Sequence, residues 1–234
     1  MKNSSKVLLD KISNVKILVL GDIILDKYIN GSSNRISPEF PVPVVNIVNS
    51  KIALGGATNV AKNLSTIGAK VSLCGIIGND NDGSDVLRLV TENNIDSELI
   101  FKTKESNTTI KTRLISNNFH LARIDNDIDK ITITKKQIDI LLKRIPNFDL
   151  IIISDYNKGL ISEKIVDEVV NKAKQNNTKI YVDPKQDPST YKNVDYVTPN
   201  EKEYKSLFLK DELSSEVKFK SSILDNFQIE NLVV

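Results

Sequence analysis

Cysteine is nearly absent from this sequence, since Cys74 is the only one among 234 residues. A single thiol cannot form an internal disulfide. Cys74 lies in the apolar run 71–77, so we interpret it as a small buried hydrophobic residue. Chains without disulfides are typical of reducing compartments. We therefore expect a cytoplasmic protein.

Long hydrophobic runs are absent as well. No run approaches the roughly 20 apolar residues that a membrane-spanning helix needs. Residues 1–14 are polar and carry lysines, without the apolar core of a secretion signal. We expect neither a signal peptide nor a membrane partner.

Charge of one sign is not in excess either. The 32 lysines and arginines nearly balance the 30 acidic residues, which leaves a net charge of +2. The basic residues are scattered along the chain, whereas nucleic-acid-binding proteins concentrate positive charge on one face. We therefore expect no nucleic-acid partner.

The sequence does contain an alternation of apolar strands and amphipathic helices. Apolar, β-branched runs at 15–20, 71–78, 149–154, 179–182 and 194–197 predict buried strands, and helical periodicity separates several of them. Such an alternation predicts the α/β class: a three-layer, doubly wound, mainly parallel sheet with helices on both faces.

Two extended segments fall outside this alternation. One covers about 28–50 and includes three prolines close together, which exclude a helix there. The other covers about 107–125 and predicts a hairpin that turns at 116–118. Together they predict a small β-sheet beside the main one. A later helix is predicted at 214–226, and 231–234 has the pattern of a strand.

Gly55 and Gly56 stand directly before a helical pattern. Glycine permits a tight turn and a close approach of another molecule, and the free N–H groups of a helix start bind oxygen-rich ligands. The pair therefore predicts a ligand-binding turn, with a phosphate cradle as one form of it. A tight loop that only feeds a packed helix is the alternative.

Polar residues also follow several predicted strands. Asp22, Asp155, Asp183 and Asn200 each come just after an apolar run. Open α/β sheets bind ligands beyond the carboxyl ends of their strands. We expect these side chains to gather at one edge of the sheet.

Six motifs, taken together, resemble the ribokinase-like (PfkB) sugar kinases. Within that family the sequence is most similar to the kinase domain of bacterial enzymes that act on heptose phosphates. The motifs are GDIILD at 21–26, RISPEFPVPVV at 35–45, GGATNVA at 55–61, SDYNKG at 154–159, DPK at 183–185 and TPNEKE at 198–203. The resemblance covers nearly the whole chain and implies one kinase domain over 1–234, incomplete at its carboxyl end. It also implies that the segments at 28–50 and 107–125 form a lid over the sugar.

The resemblance implies a sugar-phosphate site. Asp26, with Asp22 as a second candidate, would bind sugar hydroxyls, and Gly55, Gly56 and Asn59 would approach the ring. The phosphate would be held by basic side chains, namely Arg35, Lys111, Arg113 and Arg123. Asp155 and Lys158 would line the cleft between sugar and nucleotide. For each basic residue, a solvent-facing strand position is the alternative.

The resemblance also implies a nucleotide site, with ATP and Mg²⁺ as cofactors. Asn200 and Glu203 match an Asn-x-x-Glu motif that manages magnesium and phosphate, so Glu203 would act on the metal indirectly. Glu201 and Lys202 would contact the nucleotide. A helix cap alone is the alternative for Asn200 and Glu203, and the two roles are compatible.

The implied reaction is the ATP-dependent phosphorylation of D-glycero-D-manno-heptose 7-phosphate at its anomeric hydroxyl. The product would be heptose 1,7-bisphosphate, a step of ADP-heptose biosynthesis and so of lipopolysaccharide synthesis. The implied partner is a second copy of the chain, paired through the lid strands. A different PfkB-type sugar kinase is the alternative enzyme. A Rossmann-type dehydrogenase is disfavoured because Gly21-Asp22 lacks the Gly-x-Gly-x-x-Gly turn.

One family motif has no counterpart here. The sequence contains no Gly-x-Gly, whereas the family carries Gly-Ala-Gly-Asp, whose Asp is the catalytic base. The resemblance places that base beyond Val234, so we assign no catalytic residue in the chain. We expect a fragment of a longer protein, a split-gene product, or a short protein that binds a sugar phosphate without catalysis.

Overall fold

The computed structural model describes residues 7, 9–127, 132–208 and 227–234. Its strands are β1 (Lys16–Gly21), β2 (Ile23–Ile36), β3 (Pro43–Gly56), β4 (Lys70–Gly78), β5 (Asp96–Thr103), β6 (Ile110–Ser116), β7 (Phe119–Asn126), β8 (Leu150–Ser154), β9 (Lys179–Asp183), β10 (Tyr196–Val197) and β11 (Asn231–Leu232). Its helices are α1 (Ala57–Thr66), α2 (Asn81–Glu92), α3 (Lys135–Arg144), α4 (Glu163–Gln175) and the single turn α5 (Glu201–Glu203).

Seven strands form the main sheet, in the order β11-β10-β9-β8-β1-β4-β5. Every neighbouring pair in it is parallel. The register places Gly21 opposite Ser154, and Ser154 opposite Asp183. The carboxyl ends of β1, β8 and β9 therefore lie side by side, at the edge where such sheets bind ligands.

The core lies on both faces of this sheet, as the alternation along β1 shows. Ile17 and Val19 pack on one face with residues of α1 and α2, whereas Leu18 and Leu20 pack on the other with residues of α3 and α4. All four side chains are buried. Full burial of one such side chain stabilises the fold by roughly 1.5–3 kcal/mol. The predicted three-layer α/β class is confirmed.

A second, four-stranded sheet has the order β3-β2-β6-β7. β2 is antiparallel to β3 and parallel to β6, and β6 and β7 form an antiparallel hairpin. Asp26 lies opposite Lys111, and Tyr28 lies opposite Arg113. Because side chains alternate along a strand, these four project from the same face of the sheet.

The strands on either side of the proline-rich segment are longer than the extended runs, 23–29 and 44–48, that the sequence pattern predicts there. β2 runs on to Ile36 and β3 begins at Pro43, so the prolines interrupt only the tip between them. The predicted hairpin turn is present, with Asn117 and Asn118 both at positive φ. The helix predicted at 214–226 lies outside the described residues. In the part of the chain that is described, no helix is both long and apolar enough to cross a bilayer.

Candidate functional site

A polar pocket of about 310 Å³ opens where the second sheet meets the main one. Four structural units line it: the paired strands β2 and β3, helix α1, strand β6 and the loop after β8. The lining residues are Asp26, Tyr28, Ala53, Leu54, Gly55, Gly56, Asn59, Lys62, Lys111, Arg113 and Tyr156. The pocket thus gathers six of the residues that the sequence assigns to sugar-phosphate binding.

An ion pair between Asp26 and Arg113 forms one wall of the pocket. The Nη1 atom of Arg113 donates to Oδ1 of Asp26 at 2.6 Å, and the guanidinium lies 5.1 Å from the ring centre of Tyr28. The hydrogen bond that Arg113 donates to Asp26 raises the pKa of Arg113. Both side chains are mostly buried. The pair fixes the carboxylate of Asp26, whose second oxygen, Oδ2, is close to Gly55.

Both positions require glycine because a Cβ atom at either of them would lie too close to a neighbouring group. A Cβ atom on Gly55 would lie 2.7 Å from Oδ2 of Asp26. Gly56 has a φ of +56°, and a Cβ there would lie 2.5 Å from the carbonyl oxygen of Asp22. The N–H of Ala57, at the start of α1, already donates to that carbonyl oxygen at 3.0 Å. At least one N–H group at the start of α1 is therefore occupied within the chain and is not free to bind a phosphate.

Lys111 extends across the pocket toward Tyr156, with its Nζ 5.4 Å from the ring centre. Burial lowers the pKa of Lys111, and the positive charge of Lys158 lowers it further, against smaller opposite effects of Asp125 and Asp26. An anion in the pocket would relieve both unfavourable effects, because it would neutralise the buried ammonium group.

Asp22, predicted to bind sugar hydroxyls, is instead enclosed. Its side chain is buried, and Oδ2 accepts from the backbone N–H groups of Tyr156 at 2.8 Å and Lys158 at 3.1 Å. Burial raises its pKa to about 6, with a further contribution from Asp155. Asp22 therefore fastens the loop after β8 to the end of β1 and does not face the pocket.

Asp155, predicted to line the cleft, is also enclosed. It is 2% exposed. Its carboxylate accepts from the hydroxyl of Tyr191, from Nε2 of Gln186 at 2.7 Å and from the N–H of Asn157 at 2.6 Å. Through these three hydrogen bonds, Asp155 connects the loop after β8 to the segment after β9. The sequence pattern could not show this, because the partners lie up to 36 residues away.

Three of the predicted basic residues lie outside the pocket lining. Arg35 is exposed near the far end of β2, nine positions or about 30 Å of strand beyond Asp26. Arg123 is 63% exposed and pairs with Asp125 at 3.0 Å. Lys158 pairs with Asp127 at 2.5 Å. The latter two are already neutralised by neighbouring carboxylates.

The residues predicted to serve the nucleotide lie around α5. Asn200 and Glu203 form a reciprocal capping box, with both hydrogen bonds at 3.0 Å. The carboxylate of Glu203 also pairs with Lys185, and the hydrogen bonds from these partners lower its pKa despite burial. Burial, and then the charge of Glu203, raise the pKa of Asp183. The predicted helix cap is present.

Glu201 and Lys202 are exposed, and both line a cavity of about 540 Å³ together with Lys205 and Ser206. Glu201 pairs with Lys205 at 2.5 Å. Among the described residues, no group of three or more His, Cys, Asp or Glu side chains is arranged to hold a metal ion. Glu203 is committed to Lys185 and Asn200, so a direct metal ligand is not evident there.

Lys62, Tyr28 and Tyr156 line the pocket but were not predicted from the sequence. Lys62 had a usable signal. It lies three positions after Asn59 on a helix, and residues at that spacing share a helix face. The two tyrosines had none, since only the register of β2 and the course of the loop after β8 direct them to the pocket.

Comparisons with known proteins agree on the family. The pfkB family of carbohydrate kinases matches residues 14–234. The chain is 40% identical over 192 residues to the bifunctional protein HldE of Helicobacter pylori, which is 80% of this chain and 42% of that protein. It is 38% identical over 191 residues to the HldE of Campylobacter curvus, covering 81% of this chain and 41% of that one. The chain thus spans about two fifths of the length of these curated relatives.

Solved structures show the same fold at low sequence identity. Phosphofructokinase-2 of Escherichia coli in complex with potassium superposes with a TM-score of 0.70 at 16% identity, over 94% of this chain and 72% of that one. The ribokinase of Arabidopsis thaliana, complexed with ribose and ATP, gives a TM-score of 0.68 at 13% identity, over 93% and 70%. The fold and the extent of the family match lead to one conclusion: the chain belongs to the pfkB family of carbohydrate kinases.

Proposed function

We propose that this chain forms the sugar-binding part of an ATP-dependent heptose kinase. The reaction is the transfer of the γ-phosphoryl group to the anomeric hydroxyl of D-glycero-D-manno-heptose 7-phosphate, which gives heptose 1,7-bisphosphate for ADP-heptose biosynthesis in the cytoplasm. The Asp26 pocket is the observation that carries the proposal. The identity of about 40% to HldE proteins supports the heptose branch of the family.

The pocket suits a sugar because it combines a carboxylate that is fixed in position, that of Asp26, with two glycines that carry no side chain. Oδ1 of Asp26 accepts the hydrogen bond from Arg113, whereas Oδ2 lies close to Gly55 and can accept hydrogen bonds from sugar hydroxyls. Asn59, from α1, adds an amide that can both donate and accept. Bonds between a carboxylate and hydroxyl groups are charge-assisted, so they contribute more than bonds between neutral groups.

The nucleotide would bind beside the carboxyl ends of β9 and β10, near Asn200, Glu201 and Lys202. Mg²⁺ would arrive with the nucleotide and neutralise charge on its phosphates. Lys185 neutralises Glu203 in that region, and so keeps a carboxylate from repelling the phosphates. Glu203 can act on the metal only indirectly while this pair is intact.

In the transfer, the anomeric oxygen forms a bond to the γ-phosphorus while the bond to the oxygen shared with the β-phosphate breaks. The hydroxyl proton passes to a base. We assign that base to no residue of this chain. Neither Asp155 nor Asp183 has the Gly-Ala-Gly-Asp context of the family's base, and Asp155 is enclosed by Tyr191 and Gln186.

We further propose that the second sheet serves as a lid and as the contact with a second copy of the chain. Its outer part exposes large apolar side chains on β2, β3 and β7 and on the β2–β3 connection. These include Ile36, Phe40, Ile47, Val48, Phe119 and Ile124, each at least 60% exposed. Exposed apolar patches on strands favour association with another chain.

Sugar-phosphate binding without catalysis is the second candidate. It is favoured by one observation, the lack of any Gly-x-Gly in the sequence, because the family's anion hole is built from such a segment. Under this proposal, the pocket and its specificity are the same, but no phosphoryl group is transferred.

One experiment separates these proposals. The purified chain is incubated with ATP, Mg²⁺ and, in parallel, heptose 7-phosphate, ribose and fructose 6-phosphate, while ADP release and calorimetric binding are followed. Binding of heptose 7-phosphate in preference to the other two sugars supports the sugar site in both forms of the proposal. Release of ADP, which needs a base that we assign to no residue of this chain, would refute the binder without catalysis. A clear preference for ribose or fructose 6-phosphate would refute the heptose assignment in both forms.

A further inference from the structure

The basic residues around the pocket differ in whether a carboxylate already neutralises them. Arg113 pairs with Asp26, Arg123 with Asp125, and Lys158 with Asp127. Lys62 and Lys111 form no ion pair within the described ranges. These two lysines are thus the pocket-lining cations whose charge remains available to a ligand.

The two lysines come from different walls of the same cavity. Lys111 lies on β6, opposite Asp26 in the strand register. Lys62 lies on α1, one helical turn beyond Asn59, and is half-buried. A ligand bound between the walls would therefore contact the carboxylate of Asp26 and the amide of Asn59 near the glycine pair. It would also contact two ammonium groups, that of Lys62 on one wall and that of Lys111 on the other.

The charges of the lining fit one phosphate monoester. Asp26 and Arg113 cancel each other, which leaves two positive charges from Lys62 and Lys111. A phosphate monoester carries about −1.5 to −2 at neutral pH. An ammonium group on a flexible stem is a common phosphate ligand because it acts as a movable point charge.

We propose that Lys62 and Lys111 together hold the phosphate that the sugar already carries, and that Lys62 makes the site selective for phosphorylated over unphosphorylated sugar. The proposal rests on the sugar-phosphate function proposed above and deepens it. It also replaces Arg35 and Arg123 as phosphate ligands within one chain, since neither lines the pocket.

Calorimetry with paired ligands tests this proposal. The wild-type chain and the Lys62→Gln variant are titrated with heptose 7-phosphate, with unphosphorylated heptose and with inorganic phosphate. Loss of one charge-assisted contact should weaken binding of heptose 7-phosphate roughly tenfold to a hundredfold. Binding of unphosphorylated heptose should change by less than about twofold, because the sugar contacts remain.

Two further variants control for other causes. Lys143→Gln removes an equivalent charge from the last turn of α3, where the side chain is exposed and outside the pocket lining, and should leave all three affinities unchanged. Lys62→Arg keeps the charge and should retain most of the selectivity. Glutamine is a good helix former, so the melting temperature of Lys62→Gln should match the wild type.

The outcomes distinguish this proposal from the function on which it rests. If heptose 7-phosphate binds and Lys62→Gln binds it equally well, the role of Lys62 is wrong and the sugar-phosphate function stands. If Lys62→Gln weakens both sugars to the same extent, the residue supports the pocket in general and the selectivity is refuted. If Lys62→Gln weakens the binding of inorganic phosphate, while the wild type binds heptose 7-phosphate no more tightly than phosphate, the phosphate-binding role of the two lysines is supported. The proposed sugar function is then refuted.

Discussion

Asp22 gives the chain an unusual dependence of stability on pH. Burial raises the pKa of this carboxyl from 3.8 to about 6, and the negative charge of Asp155 adds to the rise. Backbone N–H groups of Tyr156 and Lys158 oppose it. Between pH about 4 and about 6, the folded state therefore keeps a proton that the unfolded chain has released.

The sign of the effect follows from that proton. Because the folded state binds more protons in this window, the free energy of unfolding falls as the pH rises from about 4 to about 6, and the loss persists at higher pH. The difference between 3.8 and about 6 corresponds to about 3 kcal/mol. Most acidic groups with folded-state partners show the opposite trend.

The Asp22→Asn variant removes the titration and keeps one oxygen that can accept from the two backbone N–H groups. Urea unfolding of both proteins from pH about 4 to about 7 should therefore show the variant gaining up to ~3 kcal/mol relative to the wild type. Asp167→Asn, on the exposed face of α4, corrects for the loss of one carboxylate. A difference between Asp22→Asn and wild type that stays constant with pH would refute the reasoning.

Three other contacts, two in the pocket and one away from it, are tested by substitution. Gly55→Ala places a Cβ atom 2.7 Å from Oδ2 of Asp26, so calorimetry should show sugar-phosphate affinity reduced at least about tenfold, whereas Asn59→Ser should lose less. Arg113→Gln leaves the carboxylate of Asp26 unpaired, and we expect a loss of about tenfold or more that Arg113→Lys partly restores. Thr108→Val removes the hydroxyl that donates to Asp80 at 2.7 Å. Urea unfolding should show that the free energy of unfolding falls by about 1–3 kcal/mol. Unchanged affinities or midpoints in these measurements would contradict the respective contacts.

The sequence predicted the fold well because the fold depends on local periodicity. The apolar run that became β1 has alternate residues on two faces, and its neighbours follow the same rule. The lengths of β2 and β3 were underestimated, because polar residues such as Asn34 and Asn49 occupy exposed strand positions that resemble a loop in sequence. Pairing between two strands sustains those positions, and pairing is not a local property.

The candidate site was only partly predictable for a related reason. Asp26 and the glycine pair belong to sequence motifs, and all three residues line the pocket. Asp22 and Asp155 follow strands in the same way, yet both are enclosed by partners that are distant in sequence. A motif shows which residues stand at the edge of the sheet. Packing decides which of them face the ligand.

The most direct test of the account is whether the carboxylate of Asp26 recognises heptose 7-phosphate. Calorimetric titration of the 234-residue chain should show one binding site for this ligand. The Asp26→Asn variant should bind it at least about tenfold more weakly, with folding verified by circular dichroism. Equal affinity in the variant, or no binding by the wild type under conditions where fructose 6-phosphate binds, would contradict the account.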